Sequence, residues 1–192
     1  LVSTNAVTNG TQVIRVLVTN RVNTLGIAWE SVASGVTSDL WAACASSNLF
    51  VVAGSSGVIL TSPDAQSWAR RTSGSTAVLS GAAAWPGGFV VCGQNGVILT
   101  SANGLSWTAR ASGTTRWLWR VRWVNERLVA VGEGGTVLTS TDGMTWTARS
   151  TPSTTWWNDV GWQSGWYCLV GDGGVVALSQ DLSTWVESPT AT

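Results

Sequence analysis

Few residues in this chain could do chemistry, so their types and spacing decide much. Asp142 sits in VLTSTDGMTW (137–146), an acid beside a glycine at the end of an apolar run. There a carboxylate can bind a metal, move a proton, or accept backbone N–H hydrogen bonds and shape a turn. A calcium loop needs several further oxygen ligands in order, and none follow, so no metal and no cofactor are expected. The one tyrosine, Tyr167, falls in a column that holds Phe50, Phe89 and Leu128 elsewhere, which reads as packing. No histidine is present, so the usual general base at neutral pH is missing. No acid pair stands out for glycosidic work. Arg120 and Asp159 hold equivalent positions and are expected to form a structural ion pair. These residues predict no catalytic group and no enzyme.

The acid-glycine segment recurs. VILTSPDAQSW ends at Trp68, VILTSANGLSW at Trp107 and VVALSQDLSTW at Trp185, each a multiple of 39 residues from Trp146. Trp29 continues the series, and Gly54, Gly93, Gly132 and Gly171 keep the same step. A fixed period in this range marks a solenoid, propeller or array. Asn103 stands where the other copies carry Asp64, Asp142 and Asp181. Both side chains can make an Asx-turn, whereas a metal ligand or catalytic acid would tolerate the exchange poorly. Ser62, Ser101, Ser140 and Ser179 are expected to assist the turns.

The elements that position these residues are strands. In residues 112–150, RWLWRVRWV (116–124) alternates, with Trp117, Trp119, Val121 and Trp123 on one side and Arg116, Leu118, Arg120 and Arg122 on the other. A period of two predicts a strand. RLVAVG (127–132), TVLTS (136–140) and TWTAR (145–149) follow, separated by short turns. Four antiparallel strands per 39 residues, without helical periodicity, describe one propeller blade. First strands are expected from Leu40, Leu79, Leu118 and Trp157. Second strands apolar on both faces imply sheets stacked between neighbours. The fold class is therefore all-β, a propeller of four-stranded antiparallel blades in one domain over 1–192. Blades are expected at 34–72, 73–111, 112–150 and 151–192. Residues 1–33 are a degenerate first blade of a five-bladed ring, or else a β arm able to dock on another subunit.

Hydrophobic residues make up 44% and charged residues only 10%, with a formal net charge of zero. A neutral chain is not built to track a phosphate backbone, so no nucleic-acid partner is expected. No apolar run approaches the length that spans a bilayer, so no membrane insertion is expected. The chain begins at Leu1 with no signal peptide in view, which leaves a removed leader or a fragment open. Cys44, Cys92 and Cys168 match no zinc spacing, and Cys92 and Cys168 read as small buried hydrophobes.

The Ser-x-Asp-Gly-x-Thr-Trp segments resemble the Asp-box, or BNR repeat, of β-propellers. The longer pattern LVAVGEGGTVLTSTDGMTWTAR (128–149) is similar to repeats of the photosystem II stability/assembly factor family and of bacterial sialidase-like proteins. The likeness covers residues 34–188, although the usual Asp-box has one more residue before its tryptophan. It implies that the acids and serines above hold the turns while Trp68, Trp107, Trp146 and Trp185 pack beneath them. Sialidases would require an arginine triad and a tyrosine nucleophile, and Tyr167 does not fit that role.

Binding is the better expectation. The chain has 14 tryptophans, far beyond the periodic set. Trp117, Trp119, Trp123, Trp156, Trp157, Trp162 and Trp166 crowd the last two repeats. Aromatic faces stack on sugars and anchor protein interfaces, and arginines beside them add hydrogen-bond forks. Trp117, Trp119, Trp156, Arg116 and Arg120 are the candidate ligand-binding residues, with Trp117 and Trp156 expected to be exposed. Arg71, Arg110 and Arg149 form a regular stripe, read as solvated outer-strand charge. The reading is a structural or adhesion module making protein–protein contacts or self-associating in an extracellular, cell-surface or virion assembly. The alternatives are a glycan-binding propeller and an intracellular assembly factor.

Overall fold

The computed structural model describes residues 31–151 and 153–187. Among the described residues, sixteen strands form four antiparallel sheets, each with its strands in chain order. Blade 1 holds β1 (Leu40–Ala45), β2 (Phe50–Gly54), β3 (Ile59–Ser62) and β4 (Ala69–Arg71). Blade 2 holds β5 (Leu79–Trp85), β6 (Gly88–Gly93), β7 (Ile98–Ser101) and β8 (Thr108–Arg110). Blade 3 holds β9 (Leu118–Val124), β10 (Arg127–Gly132), β11 (Val137–Ser140) and β12 (Thr147–Arg149). Blade 4 holds β13 (Trp157–Gln163), β14 (Trp166–Gly171), β15 (Val176–Ser179) and β16 (Val186–Glu187). All first strands begin at the residue expected. All sixteen strands lie in the compact unit Ala33–Thr192. The expected first blade or arm, residues 1–33, lies outside the described residues except for 31–33.

Stacking explains why the strands are apolar on both pleat faces. Three core clusters lie at the three joints between successive blades. The joint of blades 1 and 2 buries Ala42, Val51 and Ala53 against Leu79, Phe89 and Val91. The next buries Val90, Cys92 and Ile98 against Leu118, Leu128 and Leu138. The third buries Val129, Val131 and Val137 against Trp157, Tyr167 and Leu169. Side-chain size is exchanged between equivalent positions of these joints. A Cβ on Gly143 would lie 2.7 Å from the Trp85 ring. One period on, the pair becomes Val124 and a fully buried Leu182.

One expectation about β9 fails. Between β9 and β10, Val131 pairs with Arg120 but Gly132 pairs with Leu118, so Trp119 is an extra, bulged residue. The bulge breaks the simple alternation and turns Leu118 together with Val121 into the core, both fully buried. Bulges recur at Trp41, Ser80 and Asn158 in the other first strands. Cys92 is buried as expected, Cys168 is only half-buried, and all three thiols are free. Burial pushes the Cys44 and Cys92 thiols up to about 12, which keeps both protonated and unreactive.

Candidate functional site

The acid-containing turns recur with one geometry. Asp142 accepts from the backbone N–H groups of Met144 and Thr145, both at 2.8 Å, and Ser140 accepts from Gly143 N–H at 2.9 Å. Asp64 does the same for Gln66 and Ser67, and Asp181 for Ser183 and Thr184. Asn103 accepts from Leu105 at 2.9 Å but from Ser106 only at 3.4 Å, as expected for an acceptor without charge. Ser101 and Ser179 accept from Gly104 and Leu182. Trp107 and Trp146 donate their indole N–H back to the turn carbonyls of Gly104 and Gly143. Trp185 instead donates to Ser150 at 2.8 Å, and Trp68 is half-buried beside its turn.

The backbone donors hold Asp64, Asp142 and Asp181 below the usual carboxylate range, through Ser67 and Gln66, Thr145 and Met144, and Thr184 and Ser183 respectively. A depressed folded pKa adds stability above the unfolded value, near ~4, which is lost as pH falls through the folded value. Replacing all three acids with Asn is therefore expected to lower Tm at pH 7. The same variant should flatten the fall in Tm below about pH 4 that the parent shows. Thermal melts from pH 2 to 7 measure both effects.

The expected Arg120–Asp159 pair does not form. Asp159 takes a bidentate contact from Arg122 instead, with Nε at 2.9 Å and Nη2 at 2.7 Å. Both strands carry a bulge at the equivalent residue, Trp119 and Asn158, yet the arginine that meets Asp159 stands two residues after the equivalent Arg120. Burial opposes charge on Asp159, but Arg122 and the Val160 N–H outweigh it and hold the carboxyl low. The side chains are 48% and 35% exposed, so the pair contributes about 0–1 kcal/mol. Tyr167 is buried, with its hydroxyl 2.8 Å from the Asn125 amide, and packs with Leu169 and Ala177.

Four tryptophans meet at the end of the sheets where the first strands start. Trp117 lies 5.5 Å from Trp119 and 6.1 Å from Trp156 between ring centroids. Trp119 meets Trp156 edge-on at 6.3 Å and 88°. Trp41, which the sequence reading did not single out, lies 6.2 Å from Trp119. These separations suit aromatic contact. Trp41 and Trp119 are the bulged residues of blades 1 and 3, and the equivalent residue of blade 2 is the small Ser80. Ser80 is bonded by Trp117 Nε1 at 2.9 Å, which ties the cluster to blade 2. Trp41 is 47% exposed, while Trp117, Trp119 and Trp156 are half-buried. Trp117 and Trp156 are thus less exposed than expected. A sequence signal for Trp41 existed, since it lies two periods before Trp119.

Most nearby polar groups are committed to the protein itself. Trp41 Nε1 donates to Ser55 at 2.9 Å. Glu133 accepts from the Trp117 backbone N–H at 3.0 Å, and Arg116 donates to the Gly134 carbonyl. Arg120 is half-buried in the strand, its Nε without a partner among the described residues. The cluster therefore offers ring faces and edges more than hydrogen bonds.

A groove of about 920 Å³ lies elsewhere, beside Trp107, Arg110, Ser112 and Arg116. A groove of about 450 Å³ occupies the equivalent place one period earlier, beside Arg71 and Ser73. Their recurrence marks them as products of the repeat. Arg71, Arg110 and Arg149 are held by Thr61, Thr100 and Thr139, at 2.8–2.9 Å. Among the described residues, no three His, Cys, Asp or Glu side chains gather as a metal would require. No helix among them is long and apolar enough to cross a membrane.

No protein-family model matches the chain, and no curated protein matches it. Among solved structures it is similar to YCF48 bound to D1 peptide, with TM-score 0.68 and 14% identity over 83% of this chain and 56% of that one. It is also similar to YCF48 from Cyanidioschyzon merolae, with TM-score 0.60 and 18% identity over 84% and 60% of the respective chains. The chain thus spans somewhat over half the length of these structures. The expected extracellular, cell-surface or virion location is corrected by this finding: the solved neighbours are YCF48 structures, one of them bound to D1 peptide. At these identities the likeness speaks for architecture, and together with the four four-stranded sheets it makes the chain a β-propeller.

Proposed function

We propose that this chain is a non-enzymatic propeller that binds a protein partner at the cluster of Trp41, Trp117, Trp119 and Trp156, with Arg116 at its rim. The observation that carries the reading is the contact of four indoles from blades 1, 3 and 4, two of them set out on bulges. Interface anchors are enriched in tryptophan because a large rigid ring gives contact area at small entropic cost. The internally bonded Ser55, Ser80 and Glu133 leave few free polar groups for sugar hydroxyls, which favours apolar peptide side chains over a glycan. A solved neighbour is a YCF48 bound to a peptide, which supports a peptide ligand.

The test is selection from a random peptide library displayed on phage, with affinities of synthesised hits measured by titration. Trp119→Ala is expected to weaken binding about tenfold or more, the scale of a buried aromatic anchor. Trp162→Ala, outside the cluster, should leave affinity unchanged. Unaltered peptide affinity in Trp119→Ala, or saturable binding on a glycan array with no peptide selected, would refute the reading.

A further inference from the structure

The face of blade 3 that turns toward blade 4 does not end at the apolar joint. Across its strands Val129 stands opposite Thr139 and Thr139 opposite Thr147. Val131 likewise stands opposite Val137, and Val137 opposite Arg149. Val129, Val131 and Val137 are buried in the joint. Side chains alternate along a strand, so Arg127, two residues before Val129, belongs to this face as well. Beyond the joint the face turns polar, and Arg127, Thr139, Thr145, Thr147 and Arg149 wall a pocket of about 160 Å³. Its walls all belong to blade 3, which is packed on both sides by described blades.

The pocket is rich in hydrogen-bond donors and poor in acceptors. Arg127 Nε is shut off from solvent with no partner among the described residues, a state that is costly for a charged donor. Arg149 donates through Nε to Thr139 Oγ1 at 2.9 Å, so the Thr139 hydroxyl keeps its own proton to donate. Asp142, the one carboxylate in the walls, is already engaged: its Oδ1 accepts from Met144 N–H, Thr145 N–H and the Ser140 hydroxyl. The ion pair among the described residues is that of Arg122 with Asp159, so neither Arg127 nor Arg149 is neutralised by direct contact. Two guanidiniums against one carboxylate leave the pocket positive.

The second arginine is particular to blade 3. Thr61 with Arg71 and Thr100 with Arg110 repeat the contact of Thr139 with Arg149. The position of Arg127, by contrast, holds Leu49, Gly88 and Trp166 in the other blades. Leu49 packs on the core of its own joint. Stacking at this position is thus met by an apolar side chain or by none, and does not account for a guanidinium.

We propose that this pocket binds a phosphate group between Arg127 and Arg149, with threonine hydroxyls completing its shell. A phosphate offers acceptor oxygens to a surface of donors, and guanidinium forks bind such oxygens in pairs. This inference does not rest on the tryptophan cluster.

Phosphorus NMR titration of the full chain at constant ionic strength reads the test, with inorganic phosphate and O-phosphoserine as ligands. Wild type is expected to bind saturably. Preference for O-phosphoserine assigns the site to a phosphate ester, and preference for inorganic phosphate assigns it to the free ion. Arg127→Leu, matching blade 1, should weaken binding about tenfold or more with an unchanged circular dichroism spectrum. Arg149→Ala should do the same. Arg110→Ala, in the wider groove of blade 2 beside Arg116, should bind as wild type does. Absence of saturable binding for both ligands overturns the proposal. So does binding that Arg127→Leu leaves intact, or that Arg110→Ala weakens as much.

Discussion

Gly135→Ala is expected to destabilise the propeller by about 2–4 kcal/mol, whereas Gly113→Ala should cost only about 1–2 kcal/mol. Both glycines lie in the left-handed region, at φ +77 and +74. The conformational penalty for a Cβ is therefore common to both. Their surroundings differ. At Gly113 an added Cβ meets nothing within 4 Å, while at Gly135 it would lie 2.1 Å from the Ser153 carbonyl oxygen. That carbonyl belongs to the segment leading into blade 4, whose position is fixed by the Gly135 N–H donating to Thr155 O at 2.7 Å. The backbone cannot retreat without opening the joint. Urea denaturation of the two variants measures the difference. Equal losses would show that the close approach between blades is not a constraint.

The second large effect is expected at Trp157. Its side chain is fully buried in the joint of blades 3 and 4, so Trp157→Ala should cost about 3–5 kcal/mol. Trp157→Leu should cost markedly less, about 1–2 kcal/mol. Leu40, Leu79 and Leu118 hold the equivalent position in the other blades, so the backbone there already accepts leucine. The indole Nε1 is also buried without a partner among the described residues. Leucine removes that orphaned donor, whose burial costs roughly 1–3 kcal/mol, and offsets part of the lost packing. Chemical denaturation decides it: a leucine variant as unstable as the alanine variant would mean that ring shape, not apolar volume, fills this joint.

The strands were legible because stacked sheets impose a repeating apolar pattern. Leu40, Leu79, Leu118 and Trp157 mark four strand starts at one spacing, and a turn carrying Asp or Asn closes each copy. What the pattern hid is the bulge. One extra residue in β9 leaves the letters alternating while the backbone does not, so Trp119 was placed on the face of Val121. Asp159 pairs with Arg122 rather than with the equivalent Arg120, a diagonal between neighbouring blades that residue spacing does not encode. The tryptophan cluster was half legible. Trp117, Trp119 and Trp156 stood out by local crowding, but Trp41 joins them across a whole blade, because Ser80 leaves room between. Such contacts depend on curvature of the stack, which no local spacing encodes. Compensation between Trp85 over Gly143 and Val124 beside Leu182 was equally hidden, since each pair spans two repeats.

The most direct test of the proposed binding surface compares one set of selected peptides across five single variants. Trp41→Ala, Trp117→Ala, Trp119→Ala and Trp156→Ala are expected each to lower affinity about tenfold while the far-ultraviolet spectrum stays that of wild type. Trp162→Ala, 40% exposed outside the cluster, should bind as wild type does. Equal affinity in all five variants, or loss confined to Trp162→Ala, would contradict the assignment of partner binding to the four-tryptophan cluster.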